Sequence, residues 1–237
     1  MTLNPSDIRV ITLNAGFTSP PFAFKREPGI VSVFVAEIDT WGDDGGPLRR
    51  SLSEQENLRA NGYHRPIDRM RFVGRRGLLR HLLAGYLDRS PEQIQFENNT
   101  NGKPCAAEAH GTLDFSLSHS DGLAVYAFSD AYTVGIDLEK FDPGLHCSDL
   151  ARHFFTPSET ARITSLDGDR QLDAFLTCWT RKEAYIKLFG PRPLDCIDTL
   201  WPREALQTPA RAYEFIDLNI AADYQCTLGL SSRNCCP

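Results

Sequence analysis

The stretch LDFSLSHSDGLAVYAFSDAYTVGIDLE, residues 113–139, decides the fold. Three runs within it, 113–118, 123–128 and 133–139, are rich in Leu, Val, Ile, Phe and Tyr, and Ser-Asp-Gly and Ser-Asp-Ala separate them. Such apolar runs punctuated by turn formers read as strands, and their close spacing predicts an antiparallel meander. Upstream, Met70, Val73, Leu79, Leu82, Leu83, Tyr86 and Leu87 recur at helical spacing over 67–87, although Gly74, Gly77 and Gly85 weaken the intrinsic propensity. That helix has to be held by packing. Residues 31–38 read as a buried strand, and residues 1–30 as a loosely ordered lead-in punctuated by Pro. Downstream, Thr156-Pro157-Ser158-Glu159 has the form of a capped helix start. A longer helix over 171–188 follows, then strands over 211–218 and 224–230. The order of elements predicts an α+β fold of two similar subdomains joined near residue 130, each a small antiparallel sheet packed with helices.

The chain has 237 residues, enough for one large domain or two small ones. It carries 25 Lys and Arg against 31 Asp and Glu, a formal charge of −6, which argues against a general nucleic-acid or anionic-membrane binder. Any anion site has to be local. No apolar run approaches the roughly 20 residues that span a bilayer, and residues 1–20 lack the form of a signal peptide. The 7 cysteines are scattered without metal-ligand spacing, which points to reduced thiols in a cytoplasm. The tail Cys235-Cys236-Pro237 is no prenylation box and reads as frayed.

Alternate strand residues share a face, so Asp137 and Glu139 project together, about 6.5–7 Å apart along the chain, while Ile136 and Leu138 turn to the core. Two adjacent carboxylates without a nearby His or Cys suit magnesium better than zinc; otherwise they form a solvated strand face. On the helix over 171–188, Glu183 falls within about 40° of Leu176 and Trp179, on the apolar side. It either pairs with Lys187 one turn later or joins Asp137 and Glu139 at a metal, with Lys187 beside a phosphate. Arg65, Arg69, Arg71, Arg75, Arg76 and Arg80 stand against one acid, Asp68, in a chain of opposite net charge. Arg69, Arg76 and Arg80 share a helix face, where guanidinium forks suit phosphate oxygens or cover the core with their stems. Lys103 lies in the turn NNTNGKP, a place where lysines are usually exposed. Ser116, Ser118, His119 and Ser120 suit hydrogen bonding to a phosphate or sugar, since the chain has no GxSxG elbow that would make one of them a hydrolase nucleophile; His119 otherwise satisfies the core at a strand end.

Taken in order, NGKP, FSLSHSDG, VGIDLE, FFTPSE and WTRKEAYIK, spread over residues 65–190, resemble the 4′-phosphopantetheinyl transferases of the larger, Sfp-like type. GIDLE followed by W-x-x-K-E-A-x-x-K is the most specific part. The resemblance implies a pseudo-dimer of two α+β halves, 31–130 and 131–237, with coenzyme A and the active site in the cleft between them. It implies that Asp137, Glu139 and Glu183 hold Mg2+. Glu183 and Lys187 then serve catalysis, Lys187 contacting phosphate, and Arg76, Lys103, Ser118 and His119 hold the nucleotide and its phosphates. The implied reaction moves phosphopantetheine from coenzyme A to a serine of an apo acyl or peptidyl carrier protein and releases 3′,5′-adenosine bisphosphate. A monomer would suffice, and no nucleic acid or membrane is involved. Family members continue after the lysine with a Gly-rich segment ending in Gly-Leu, whereas Leu188-Phe189-Gly190-Pro191-Arg192-Pro193 follows here. Two other functions use the same residues: a metal-dependent phosphohydrolase directing the carboxylates at water, and a catalytically silent carrier-binding module.

Overall fold

A computed structural model describes residues 7–13, 27–41, 46–109, 111–191 and 213–233. Most of the expected lead-in, Arg211, Cys196, Cys235, Cys236 and the segment after Pro191 lie outside the described residues. The strands are β1 (Ile8–Leu13), β2 (Val31–Glu37), β3 (Phe96–Asn98), β4 (Pro104–Ala106), β5 (Asp114–Ser120), β6 (Leu123–Ser129), β7 (Tyr132–Lys140), β8 (Tyr213–Asp217) and β9 (Tyr224–Ser232). The helices are α1 (Gly46–Arg50), α2 (Glu54–Asn61), α3 (Pro66–Leu87), α4 (Cys147–Phe154), α5 (Pro157–Thr164) and α6 (Gly168–Phe189). The architecture is α+β. No described helix is long and apolar enough to cross a membrane.

One sheet runs β1-β2-β6-β5 and a second runs β7-β9-β8. β2 explains the layering, because its apolar run VSVFV is buried on both faces. Phe34 and Ala36 join Phe115, Tyr126 and Phe128 against Leu78, Leu79, Leu82 and Leu83 of α3. Val31, Val33 and Val35 face the other way, into a core shared with Val134, Ile136 and Leu138 of β7 and Leu228 and Leu230 of β9. α6 covers the far face of the second sheet. A helix, two sheets and a helix are thus stacked in four layers.

The expected meander forms only in part. β5 and β6 are an antiparallel hairpin, but β7 pairs with β9, placing Asp137 opposite Thr227. The reason is that β2 and β5 occupy both edges of β6, leaving it no edge to offer a third partner. Within the expected lead-in, Ile8–Leu13 is instead an ordered strand lying parallel to β2. The capped helix start holds: Thr156 Oγ1 accepts from the Glu159 N–H, and the Glu159 carboxylate accepts from the Thr156 N–H.

Candidate active site

The site forms where β7 passes under α6. Gly135 makes that approach possible, since a Cβ there would lie 2.2 Å from the Ala184 carbonyl oxygen. Two residues on, along the same strand face, stands Asp137; on α6, Glu183 adjoins Ala184 and Lys187 lies one turn beyond Glu183. Lys187 does not pair with Glu183, as the helix spacing had offered. It crosses to β7, donating to Asp137 Oδ1 at 2.7 Å and to the Ile136 carbonyl at 2.9 Å. Ser118 on β5 donates to the same Oδ1 at 2.8 Å. The other oxygen, Asp137 Oδ2, is buried with no hydrogen-bond partner among the described residues. A buried carboxylate oxygen left bare is costly.

The neighbouring carboxylates register that charge. Glu139 accepts from Ser120 at 3.0 Å and is bonded by Trp179, yet burial and then the charge on Asp137 raise its pKa. Burial and Asp137 likewise raise Glu183, with Lys187 opposing. As the side chains stand, no three Asp, Glu, His or Cys residues among those described converge closely enough to enclose a metal ion. The donor set nevertheless fits one: a bare buried oxygen is electrostatically coupled to two carboxylates that burial and then its own charge make more basic, all hard oxygen donors, which is the demand a magnesium-like cation meets.

Two cavities open beside the neighbours of Asp137, one lined by His119 and the other by Glu139. One, of about 490 Å³, is lined by Arg59, Arg71, Arg75, Arg76 and His119 among others. The second, of about 590 Å³, is lined largely by apolar groups such as Phe141, Leu145, Phe175 and Trp179, with Glu139 and Ser120 in its wall. The β5–β6 turn stands between them, and its Asp121, in the left-handed region at φ 51°, is bridged to Arg71 on α3 and to Lys140 on β7.

The proposed nucleotide-binding residues separate into distinct fates. His119 points into the cation-lined cavity. Its ring is exposed at the surface, yet desolvation by the protein around it, then repulsion from Arg75 and Lys187, lowers its pKa to about 4. Ser116, Ser118 and Ser120 lie on the opposite face of β5 and bond to β7, so they are not turned to that cavity. Lys103 is not an exposed turn lysine: its buried ammonium donates to Asp114 and to the Val134 carbonyl, fastening the turn to both sheets. Arg76 is held by Glu56 and lies 3.6 Å over the Phe96 ring. Arg80 is buried, bonded to Glu56 and to the carbonyls of Pro91 and Ile94. The partly exposed Arg75, by contrast, has no hydrogen-bonded acid among the described residues, and burial pulls its pKa down. The sequence signal for choosing Arg75 over Arg76 lay in Glu56, a carboxylate on another helix. Lys182, inside the WTRKEAYIK motif, is fully buried against Glu159 at 2.8 Å, and Cys178 donates to that carboxylate's other oxygen.

A profile described as the 4′-phosphopantetheinyl transferase superfamily matches residues 133–228. The chain is similar to the 4′-phosphopantetheinyl transferase HetI of Nostoc sp., at 40% identity over 145 residues, covering 60% of this chain and 61% of that protein. It is similar to the 4′-phosphopantetheinyl transferase Sfp of Bacillus subtilis strain 168, at 33% identity over 158 residues, 60% of this chain and 67% of Sfp. A 4′-phosphopantetheinyl transferase of Bacillus subtilis is 34% identical over 161 residues, 68% of this chain and 70% of that protein. The match to HetI thus spans about three fifths of that relative's length.

Proposed function

Because this chain belongs to the 4′-phosphopantetheinyl transferase superfamily, we propose that it moves phosphopantetheine from coenzyme A to a serine of an apo carrier protein, releasing 3′,5′-adenosine bisphosphate. The observation that carries this reading is the bare Asp137 Oδ2, to which two carboxylates of raised pKa are electrostatically coupled, with a cation-lined and an apolar cavity on either side of the nearby β5–β6 turn. The cation-lined cavity takes the phosphates of the nucleotide, with Arg75 and His119 as donors in place of the occupied Arg76. The apolar cavity takes the pantetheine arm. The four-layer stack supports a pseudo-dimeric arrangement, with halves 31–130 and 131–237 and the first extended by Ile8–Leu13.

Asp137, Glu139 and Glu183 would hold Mg2+, which when bound offsets charge on the diphosphate oxygens. Glu183, made more basic by its surroundings, accepts the proton of the attacking serine hydroxyl as the serine oxygen bonds to phosphorus. The bond from that phosphorus to the bisphosphate leaving group breaks. Lys187, anchored by Asp137 Oδ1 and the Ile136 carbonyl, sits where its charge faces the phosphate as negative charge builds. Chromatography of the nucleotide products tests the reading: 3′,5′-adenosine bisphosphate should form only when an apo carrier is present. Its release from coenzyme A without acceptor would indicate a phosphohydrolase, and no release in either case would indicate a silent binding module.

A further inference from the structure

We infer that Ser118 and Ser120 are positioning residues, two teeth of a side-chain comb on β5 that aim the carboxylates of Asp137 and Glu139 into the cleft; this rests on the function proposed above. β5 and β7 run side by side in the same direction without pairing as strands. Polar side chains on β5 take the place of the missing ladder. Asp114 Oδ2 accepts from the Val134 N–H at 2.7 Å, Ser116 Oγ from the Ile136 N–H at 3.0 Å, and Ser120 Oγ from the Lys140 N–H at 3.1 Å. Each contact joins residues 20 apart in sequence, so the two strands are locked in one register. The edge amides of β7, which would otherwise be orphaned between two packed sheets, are thereby satisfied.

The teeth differ in what remains after that. A serine hydroxyl has one proton to give. Ser120 already accepts from an amide, so its proton is directed to Glu139 Oε2 at 3.0 Å. Ser118 gives its proton to Asp137 Oδ1, the oxygen that Lys187 also takes. Both donors saturate one oxygen, and the carboxylate is left presenting Oδ2. Ser116 touches only backbone and serves as the internal control.

The test compares Ser116→Ala, Ser118→Ala, Ser120→Ala and Ser120→Thr in two measurements: Mn2+ binding to the free protein by electron paramagnetic resonance, and steady-state transfer to an apo carrier. Groups that orient metal ligands typically matter 10- to 100-fold. Ser118→Ala and Ser120→Ala should each weaken Mn2+ binding about tenfold. Each should also lower kcat by a similar factor, with the KM for coenzyme A changed less than about twofold. Ser120→Thr, which keeps the hydroxyl, should recover most of both losses. Ser116→Ala should lower the melting temperature by a few degrees, roughly what one lost hydrogen bond costs, and leave binding and kcat in place. The inference is overturned if the Ser118 and Ser120 variants behave like Ser116→Ala, or if threonine fails to recover what alanine loses. A wild type that transfers without binding Mn2+ removes the metal reading, and kcat then decides the comb. A wild type that binds Mn2+ without transferring removes the proposed reaction, and binding decides it. Absence of both overturns the two readings together.

Discussion

Lys182 and Lys187 stand on one helix, each beside a carboxylate, and end in opposite conditions. Lys182 is 0% exposed and its partner Glu159 has both oxygens engaged, by Lys182, Cys178 and the cap of α5. Lys187 is 26% exposed, and its partner Asp137 keeps one buried oxygen bare. A saturated buried network fixes structure, whereas an unsaturated one stores a demand that a ligand can meet. The contrast divides the WTRKEAYIK motif into a structural half, which fastens the α5 start to α6, and a half that reaches Asp137 on β7.

The most severe challenge to this division is Asp137→Asn. Transfer should fall by about 1000-fold or more, roughly 4 kcal/mol at about 1.4 kcal/mol per decade, because the change removes the charge on the bare oxygen. The thermal melt should move little, since Lys187 can turn to water. A large drop in melting temperature with activity preserved would reverse the roles of the two lysines. Lys182→Met should do the opposite, costing about 3–5 kcal/mol in urea unfolding by leaving Glu159 charged and buried without the ammonium that neutralises it, with turnover per folded molecule retained. Adding Glu159→Gln, which removes the stranded charge and keeps a carbonyl to accept from the Thr156 N–H, should restore part of that loss.

Lys187→Ala comes next, with kcat reduced about 100-fold and the KM for coenzyme A nearly unchanged, the pattern of a contact made mainly in the transition state. A change confined to KM would make Lys187 a clamp for the ground state. Among the arginines, Arg75→Ala should weaken coenzyme A binding by about 1.5–3 kcal/mol, and much less for dephospho-coenzyme A if Arg75 meets the 3′-phosphate. Arg76→Ala should instead lower stability, because it strips Glu56 of one of its two guanidinium partners. Calorimetry with both ligands separates the two arginines.

The smallest effect concerns pH. The folded pKa of His119 is about 4, below its ordinary 6.5, through burial and then Arg75 and Lys187. The folded state therefore binds fewer protons at this site. The associated stability is fully present above pH 6.5 and is lost as pH falls from 6.5 toward 4. Glu139 and Glu183, raised in the fold, act in the opposite sense, their contribution falling as pH rises from the unfolded carboxylate range to their folded values. Subtracting the pH profile of His119→Gln from that of wild type isolates the histidine, and a flat difference would show that the imidazole is as solvated in the fold as outside it.

The sequence made the local geometry of the site readable. Period two along 133–139 put Asp137 and Glu139 on one face, where Ser118 and Ser120 meet them; period 3.6 along α6 put Glu183 on the inward side with Lys187 one turn on, and both are half-buried, Lys187 reaching Asp137 on β7. What it hid were partners distant along the chain. Lys103 looked exposed because a turn usually is, but Asp114 and the Val134 carbonyl close over it. Arg76 looked available because nothing in 65–81 foretells Glu56 on α2. The serines of β5 were read as ligand donors because their alternation was visible and the parallel neighbour β7 was not. The meander failed for the same reason: strand pairing depends on which edges other strands have already taken, and β2 lies far upstream.

The site around Asp137 is proposed to load carrier proteins. Intact-mass measurement of apo carriers incubated with the chain, coenzyme A and Mg2+ tests it most directly, run in parallel with folded Asp137→Asn. Wild type should add one phosphopantetheine to the carrier serine, and the variant should add none in the same time. A carrier left unchanged by folded wild type, or modified equally fast by Asp137→Asn, would contradict it.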